Sequence, residues 1–191
     1  MEAEELLRKY AAGERDFSNI SLKYLNLSGA NLSKANFSGT NLDGTNLSRA
    51  DLSDTNLSRA RMRSTNLNEA NLSKSNLSGA FIVSTEGQLI RVNFRYAKMI
   101  GTEIAEADLT SSDLRDTDLR NSTLGQSCLE NVDLTNADLR GAFLEEIFGS
   151  MNLSNANLLG AKILCAFDGE LRDSILCNTI MPDGSIRNDD C

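Results

Sequence analysis

The chain has no histidine, no tryptophan and a single proline among its 191 residues. Without histidine it lacks the commonest general base at neutral pH and the commonest metal ligand. Aromatic residues make up only 5%, less bulk than an ordinary globular core of one domain carries. No apolar run approaches the ~20 residues of a membrane-spanning helix. The start, Met1-Glu2-Ala3-Glu4-Glu5, has neither the basic residues nor the apolar stretch of a signal peptide. A cytoplasmic protein without membrane contact is expected. Phosphate-cradling glycine loops and nucleophile elbows are also missing, so neither a catalytic residue nor a cofactor is expected.

Four cysteines, Cys128, Cys165, Cys177 and Cys191, lack the short paired spacing of a zinc site. Free thiols are expected in a reducing compartment, with a Cys165 to Cys177 bridge as the alternative. The net charge is −8, unevenly spread. Through residue 83 there are 10 Lys+Arg against 9 Asp+Glu, a balance of +1; from 84 onward 9 face 18, a balance of −9. An acidic half is poorly suited to phosphates, so no direct nucleic-acid binding is expected.

What the chain does have is a five-residue unit. It opens in Asn26-Leu27-Ser28-Gly29-Ala30 and Asn31-Leu32-Ser33-Lys34-Ala35 and recurs without a slip to residue 80. Five residues turn an α-helix by roughly 140°, which would spiral the leucines around every side. A flat strand alternates faces at period two, which would point them up, then down. A chain that bends once per unit can bury them all. With the leucine at position i, residues i and i−2 share a face of an extended segment, and the next two residues make the bend. From Phe17 to Ile82 all 14 i positions are apolar, and the 11 residues at i−2 from Ala30 to Ala80 are Ala, Thr or Ser. Large and small side chains therefore alternate inside.

This pattern resembles the pentapeptide-repeat family, with its A(D/N)LxX motif, over most of the chain. The resemblance implies an all-β solenoid: a right-handed quadrilateral β-helix with four units per coil, about seven coils here, in which residues 20 apart stack. Phe17 then lies under Phe37, Leu57 and Leu77, and Met62 between Leu42 and Ile82. Leu47, Leu67, Phe94, Leu114 and Leu134 are further core positions.

Residues 1–14 read as an amphipathic capping helix, with Ala3, Leu6, Leu7, Tyr10 and Ala11 on one face and Gly13 as its stop. A β-helix end is an open edge above an apolar column, so a cover is needed. Three glutamates against two bases disfavour the rival reading of a membrane-surface helix. Residues 15–164 form the solenoid, with phase breaks near 83–88 and 145–151. The first inserts two residues as a bulge near Glu86-Gly87, either a binding feature or neutral drift; in the second, Phe148 is expected to stay inward. Residues 165–191 are expected to close the end as an irregular coil or hairpin around Pro182-Asp183-Gly184, with a frayed tail over 188–191.

With the axis filled by leucine, the outside is the working surface. Arg49, Arg59, Arg61, Arg63 and Lys74 form a basic group. In the second block the i−1 residue changes from Asn to Asp, so Asp113 stacks beside Asp133 and Asp118 beside Asp138, with Arg115, Arg120 and Arg140 interleaved. A cation between the stacked acids is conceivable but is not the expected reading, because the arginines already supply positive charge. Together with Glu86 these residues are the candidate surface for an unidentified protein partner. A monomer is expected, an end face being the route to any dimer. Within the family resemblance two roles compete: a non-catalytic interaction scaffold, as in cyanobacterial members with a similar N-terminal helix, and a DNA mimic that binds DNA gyrase, as in fluoroquinolone-resistance members.

Overall fold

A computed structural model describes residues 1–84, 88–164, 171 and 173–191. The chain is a β-solenoid with one short N-terminal helix, α1 (Ala3–Ala11). Its strands are β1 (Arg61–Arg63), β2 (Phe81–Val83), β3 (Glu103–Ala105), β4 (Thr123–Gly125), β5 (Val132–Asp133), β6 (Phe143–Glu145), β7 (Met151–Asn152), β8 (Lys162–Leu164), β9 (Thr179–Ile180) and β10 (Ile186–Arg187). Six of them stack parallel in the order β1-β2-β3-β4-β6-β8 along one face.

Four columns of i−1 residues mark the four faces. The first runs Asp16, Asn36, Asn56, Asn76, Lys98, Asp118, Asp138, Asn157 and Ile180. The second starts at Ser21 and passes through β1, β2, β3, β4, β6 and β8, the third starts at Asn26, and the fourth starts at Asn31 and passes through β5 and β7. The number of coils differs slightly from the seven expected.

Three properties of the repeat build this stack. First, each i side chain lies on the axis: Phe17, Phe37, Leu47, Leu57, Met62, Leu67, Leu77, Phe94, Leu114 and Leu134 are all buried. The rings of Phe17 and Phe37 stack with centroids 5.6 Å apart. Second, the buried hydroxyls at i−2 donate to backbone carbonyls, as Thr40 Oγ1 does to Phe17 O (2.7 Å) and Thr45 Oγ1 to Leu22 O (2.6 Å), so a polar atom beside the axis is satisfied. Third, the i−1 Asn or Asp accepts the N–H two residues on, as in Ser28 N to Asn26 Oδ1 (3.2 Å). That bond holds the bend. Asparagine adds a rung that an acid cannot, since its amide donates to the coil before it: Asn56 Nδ2 to Asn36 Oδ1 and Asn71 Nδ2 to Asp51 Oδ1, both 3.1 Å.

Both ends are covered. Leu6 of α1 is fully buried against the first coil, and Ala3 and Tyr10 pack beside it. The Tyr10 hydroxyl donates to Ser33 O at 2.8 Å. Leu7 and Ala11, expected on the same face, stand out in solvent. At the other end β9 and β10 pair antiparallel as a hairpin.

Across the first phase break Asn66 and Gln88 stack 22 residues apart, since Leu67 N donates to Gln88 O; the expected bulge near Glu86-Gly87 lies outside the described residues. Three expectations need correction. Phe148 points outward, 61% exposed, while Ile147 is buried. The reason is a unit one residue short: Cys128 stacks on Phe148, 20 apart, but Asp133 on Asn152, 19 apart. Gly149 occupies the i position, and the large residue has moved to i−2. The cysteines are not all free, because Cys177 is disulfide-bonded to Cys191, which also rules out Cys165 as its partner; Cys165 itself lies outside the described residues. Segment 188–191 does not fray: Leu176 N donates to Asp190 Oδ2 and Asn178 N to Asn188 Oδ1, both 2.8 Å. Among the described residues no helix is long and apolar enough to cross a membrane.

Candidate interaction surface

The 20-residue spacing places the acidic side chains as the stacking rule requires. Asp113 stacks on Asp133 on the fourth face and Asp118 on Asp138 on the first. Each pair of like charges is spanned by an arginine two residues past its acid. Arg115 grips Asp113 through Nε (2.8 Å) and Nη2 (2.5 Å) and reaches Asp133 at 3.6 Å. Arg120 holds Asp118 at 2.7 Å and reaches Asp138 at 3.7 Å, while Arg140 closes on Asp138 at 2.6 Å. The two-residue spacing makes the fork possible, since i−1 and i+1 share the outer side of one face.

These hydrogen bonds set the electrostatics. The Arg115 guanidinium holds the Asp113 carboxyl below its ordinary range, and Arg120 and Arg140 do the same for Asp118 and Asp138, against the opposing effect of partial burial. The arginines are pushed up in turn by their carboxylates. The result is a self-neutralised lattice with little free charge to offer.

The basic group is less uniform. Arg49 pairs with Glu69 at 2.9 Å. Arg61 reaches Asp43 at 3.3 Å. Arg63 lies over the Phe81 ring, 5.0 Å from its centroid. Arg59 and Lys74 are exposed and have no ion pair among the described residues. Arg59, Arg61 and Arg63 follow one another around the corner between the first and second faces, whereas Arg49 and Lys74 stand on other corners. Glu86 lies outside the described residues.

Arg59 also borders a shallow groove of about 430 Å³, lined by Asn19, Ser38, Asn56, Ser58 and Ser78. The groove exists because the corner serines are small and Gly39 and Gly79 flank Arg59 in the stack.

Asp43 is a neighbour of the basic group that the repeat conceals. It is almost buried, binds Arg61 and accepts the Arg63 backbone N–H at 3.0 Å. Its signal in the sequence is an acid at a corner where most units carry serine. Among the described residues no group of acids or cysteines is arranged to hold a metal ion.

The sequence profile described as pentapeptide repeats matches in eight copies over residues 16–49, 45–82, 88–126 and 127–163. The chain belongs to this family. Among solved structures the pentapeptide-repeat protein is similar to HetL, described as involved in heterocyst differentiation regulation in the cyanobacterium Nostoc. The two are 28% identical, the match covers 98% of this chain and 100% of HetL, and the TM-score is 0.44. It is also similar to QnrB1, described as a plasmid-mediated fluoroquinolone resistance protein (17% identity, 84% and 86% covered, TM-score 0.42). A third likeness is to a pentapeptide-repeat protein of the Arabidopsis thaliana thylakoid lumen (22% identity, 75% and 65% covered, TM-score 0.27). A comparison with curated proteins returns no match.

Proposed function

We propose that this pentapeptide-repeat protein is a non-catalytic binding scaffold that engages an acidic surface of another protein through Arg59 and Arg63. The reading rests on one contrast. The acidic lattice of the second block spends its charge on its own arginines, while Arg59 stands unpaired among the described residues beside an open polar groove. Unpaired guanidinium groups on a rigid frame suit carboxylate recognition, because the frame has little ordering entropy left to lose on binding. The filled axis supports the non-catalytic part: the described i side chains from Phe17 to Leu144 leave no substrate-sized space there.

The test is affinity capture from the native host with cross-linking, using wild-type protein, Arg59→Glu/Arg63→Glu and Ser38→Ala/Ser58→Ala. The same protein should be retained by wild type and by the serine variant, and fall at least tenfold with the charge variant. Equal retention by all three would remove the arginines from the role. The gyrase-binding reading draws on the acidic second half, but Asp113, Asp118 and Asp138 are each engaged by arginine, unlike the free negative charge of a nucleic-acid backbone. Gyrase supercoiling should therefore proceed unchanged at micromolar protein.

A further inference from the structure

In the body of the solenoid each coil donates upward to the next. Leu153 N donates to Ile175 O and Asn155 N to Cys177 O, one coil on. The equivalent donors of the last described coil, Leu176 N and Asn178 N, meet no further coil among the described residues. Their bonds go instead to side chains of segment 188–191: Leu176 N to Asp190 Oδ2 and Asn178 N to Asn188 Oδ1, both 2.8 Å. Asp190 N returns a bond to Leu176 O at 3.3 Å. A carboxylate and an amide thus take the place of the two carbonyls that another coil would have supplied.

The Cys177–Cys191 disulfide joins this segment to the residue between the two donors, with the Cα atoms 5.0 Å apart. Among the described residues the segment is also tied by an ion pair of Asp189 with the neighbouring Arg187. Residues 188–191 are Asn, Asp, Asp and Cys, all exposed, so burial contributes almost nothing to their docking. The coil underneath is anchored independently: Leu176 is buried on the axis, and the buried Thr179 hydroxyl donates to Leu153 O at 2.8 Å. Breaking the disulfide would therefore release the segment without releasing the coil. Cys191 is exposed, so its sulfur is open to an attacking thiolate.

We propose that Cys177 and Cys191 form a reversible thiol–disulfide site that latches segment 188–191 over the edge of the last coil, and that reduction uncovers the Leu176 and Asn178 amides. The reductant is a dithiol. Its first thiolate attacks Sγ of Cys191, forming a mixed disulfide and expelling Cys177 as a thiolate, which takes up a proton. Its second thiol then displaces Cys191, and the reductant leaves as its own disulfide. Two electrons and two protons pass from the dithiol to the cysteine pair.

The experiment is residue-resolved amide hydrogen exchange on the full chain, oxidised and then reduced with dithiothreitol, with Leu57 and Leu124 as internal references. Peptide mapping of the oxidised protein should recover Cys177 joined to Cys191. Reduction should speed exchange at Leu176 and Asn178 at least tenfold and leave the references unchanged. Cys191→Ser should show the fast exchange in both conditions. Unchanged protection on reduction would overturn the latch, and so would mapping of Cys177 to another cysteine. References that speed up in step with Leu176 would also overturn it, by showing a staple that holds the whole fold. The comparison of oxidised with reduced wild type decides the matter even if the serine variant does not fold.

Discussion

At the scale of single residues the repeat carries a conformational cost that its residue types conceal. The i+2 corner sits at φ near +60° in most units, including Lys34, Arg49, Arg59, Glu69 and Lys74, and such a turn favours glycine. Side chains that could not be foreseen in the left-handed region are there because the stacked coils fix the turn. Gly149 is the position where glycine is indispensable: φ is +105°, and an added Cβ would lie 2.5 Å from Glu130 N and 2.8 Å from its Cα. Gly149→Ala should lower stability by about 2 kcal/mol or more. Gly29→Ala, with the same kind of φ but open space around it, should cost only about 1 kcal/mol; urea midpoints compare the two. The acidic lattice offers a second prediction. Asp113, Asp118 and Asp138 are held below the ordinary carboxylate value, so the folded state binds these protons less readily than the unfolded chain. Their contribution is complete above about pH 4 and disappears as pH falls through the lowered folded values. In an NMR titration Arg115→Ala should move Asp113 upward toward the ordinary value. The stability difference between this variant and wild type should shrink as pH falls below about 4, the ordinary carboxylate value. An unmoved Asp113 would mean that Arg115 does not set its charge.

At the scale of elements, legibility divides according to whether a piece obeys the period. The axis from Phe17 to Leu144 could be read directly, because one inward leucine in five admits a single way of burying them all. The helical cap was legible from Leu6 and Tyr10, whose spacing changes from five to the three and four of a helix. Phe148 was not. A unit shortened by one residue moves the inward place to Ile147, and nothing local distinguishes that from a phenylalanine kept inside by a bulge. The Cys177–Cys191 pair was hidden for a related reason, since it depends on segment 188–191 returning over a coil whose own register had already drifted. The acidic lattice was legible from 20-residue arithmetic, but the pairing of Asp43 with Arg61 and the backbone of Arg63 was not, because it runs between units that differ from the consensus. The cap yields the sharpest test at this scale. Leu6 is fully buried at the foot of the apolar column, so Leu6→Ala should cost about 3 kcal/mol. It should also loosen the cover of the first coil, giving concentration-dependent association in sedimentation velocity. Leu7→Ala, on the solvent side of the same helix, should do neither.

At the scale of the whole molecule, a solenoid has no centre. Each coil touches only its neighbours, so stability is close to a sum of coil and interface terms. A complete coil should then be removable. Deleting residues 41–60 brings Arg61 over Ser21 and Asn76 over Asn36, and every i position still meets an i position. One local conflict follows. Tyr24 now lies where a side chain on Gly44 would be, its ring 2.4 Å from an added Cβ, and the deletion puts Ser64 in that place. The deletion is therefore best combined with Ser64→Gly. The shortened chain loses two ion pairs, Arg61 with Asp43 and Arg49 with Glu69, both with well-exposed arginines and so of small consequence. It should keep a β-type circular dichroism spectrum and a single cooperative unfolding transition at a lower midpoint, with amide exchange slowest in the middle coils. Loss of the fold on removing those residues would mean that some long-range feature, rather than neighbour-to-neighbour stacking, holds the molecule together. The same additivity explains why the scaffold tolerates an insertion of two residues and a deletion of one along its length: the first lengthens the step between stacked residues from 20 to 22, the second shortens it to 19, and the ladders resume within one unit.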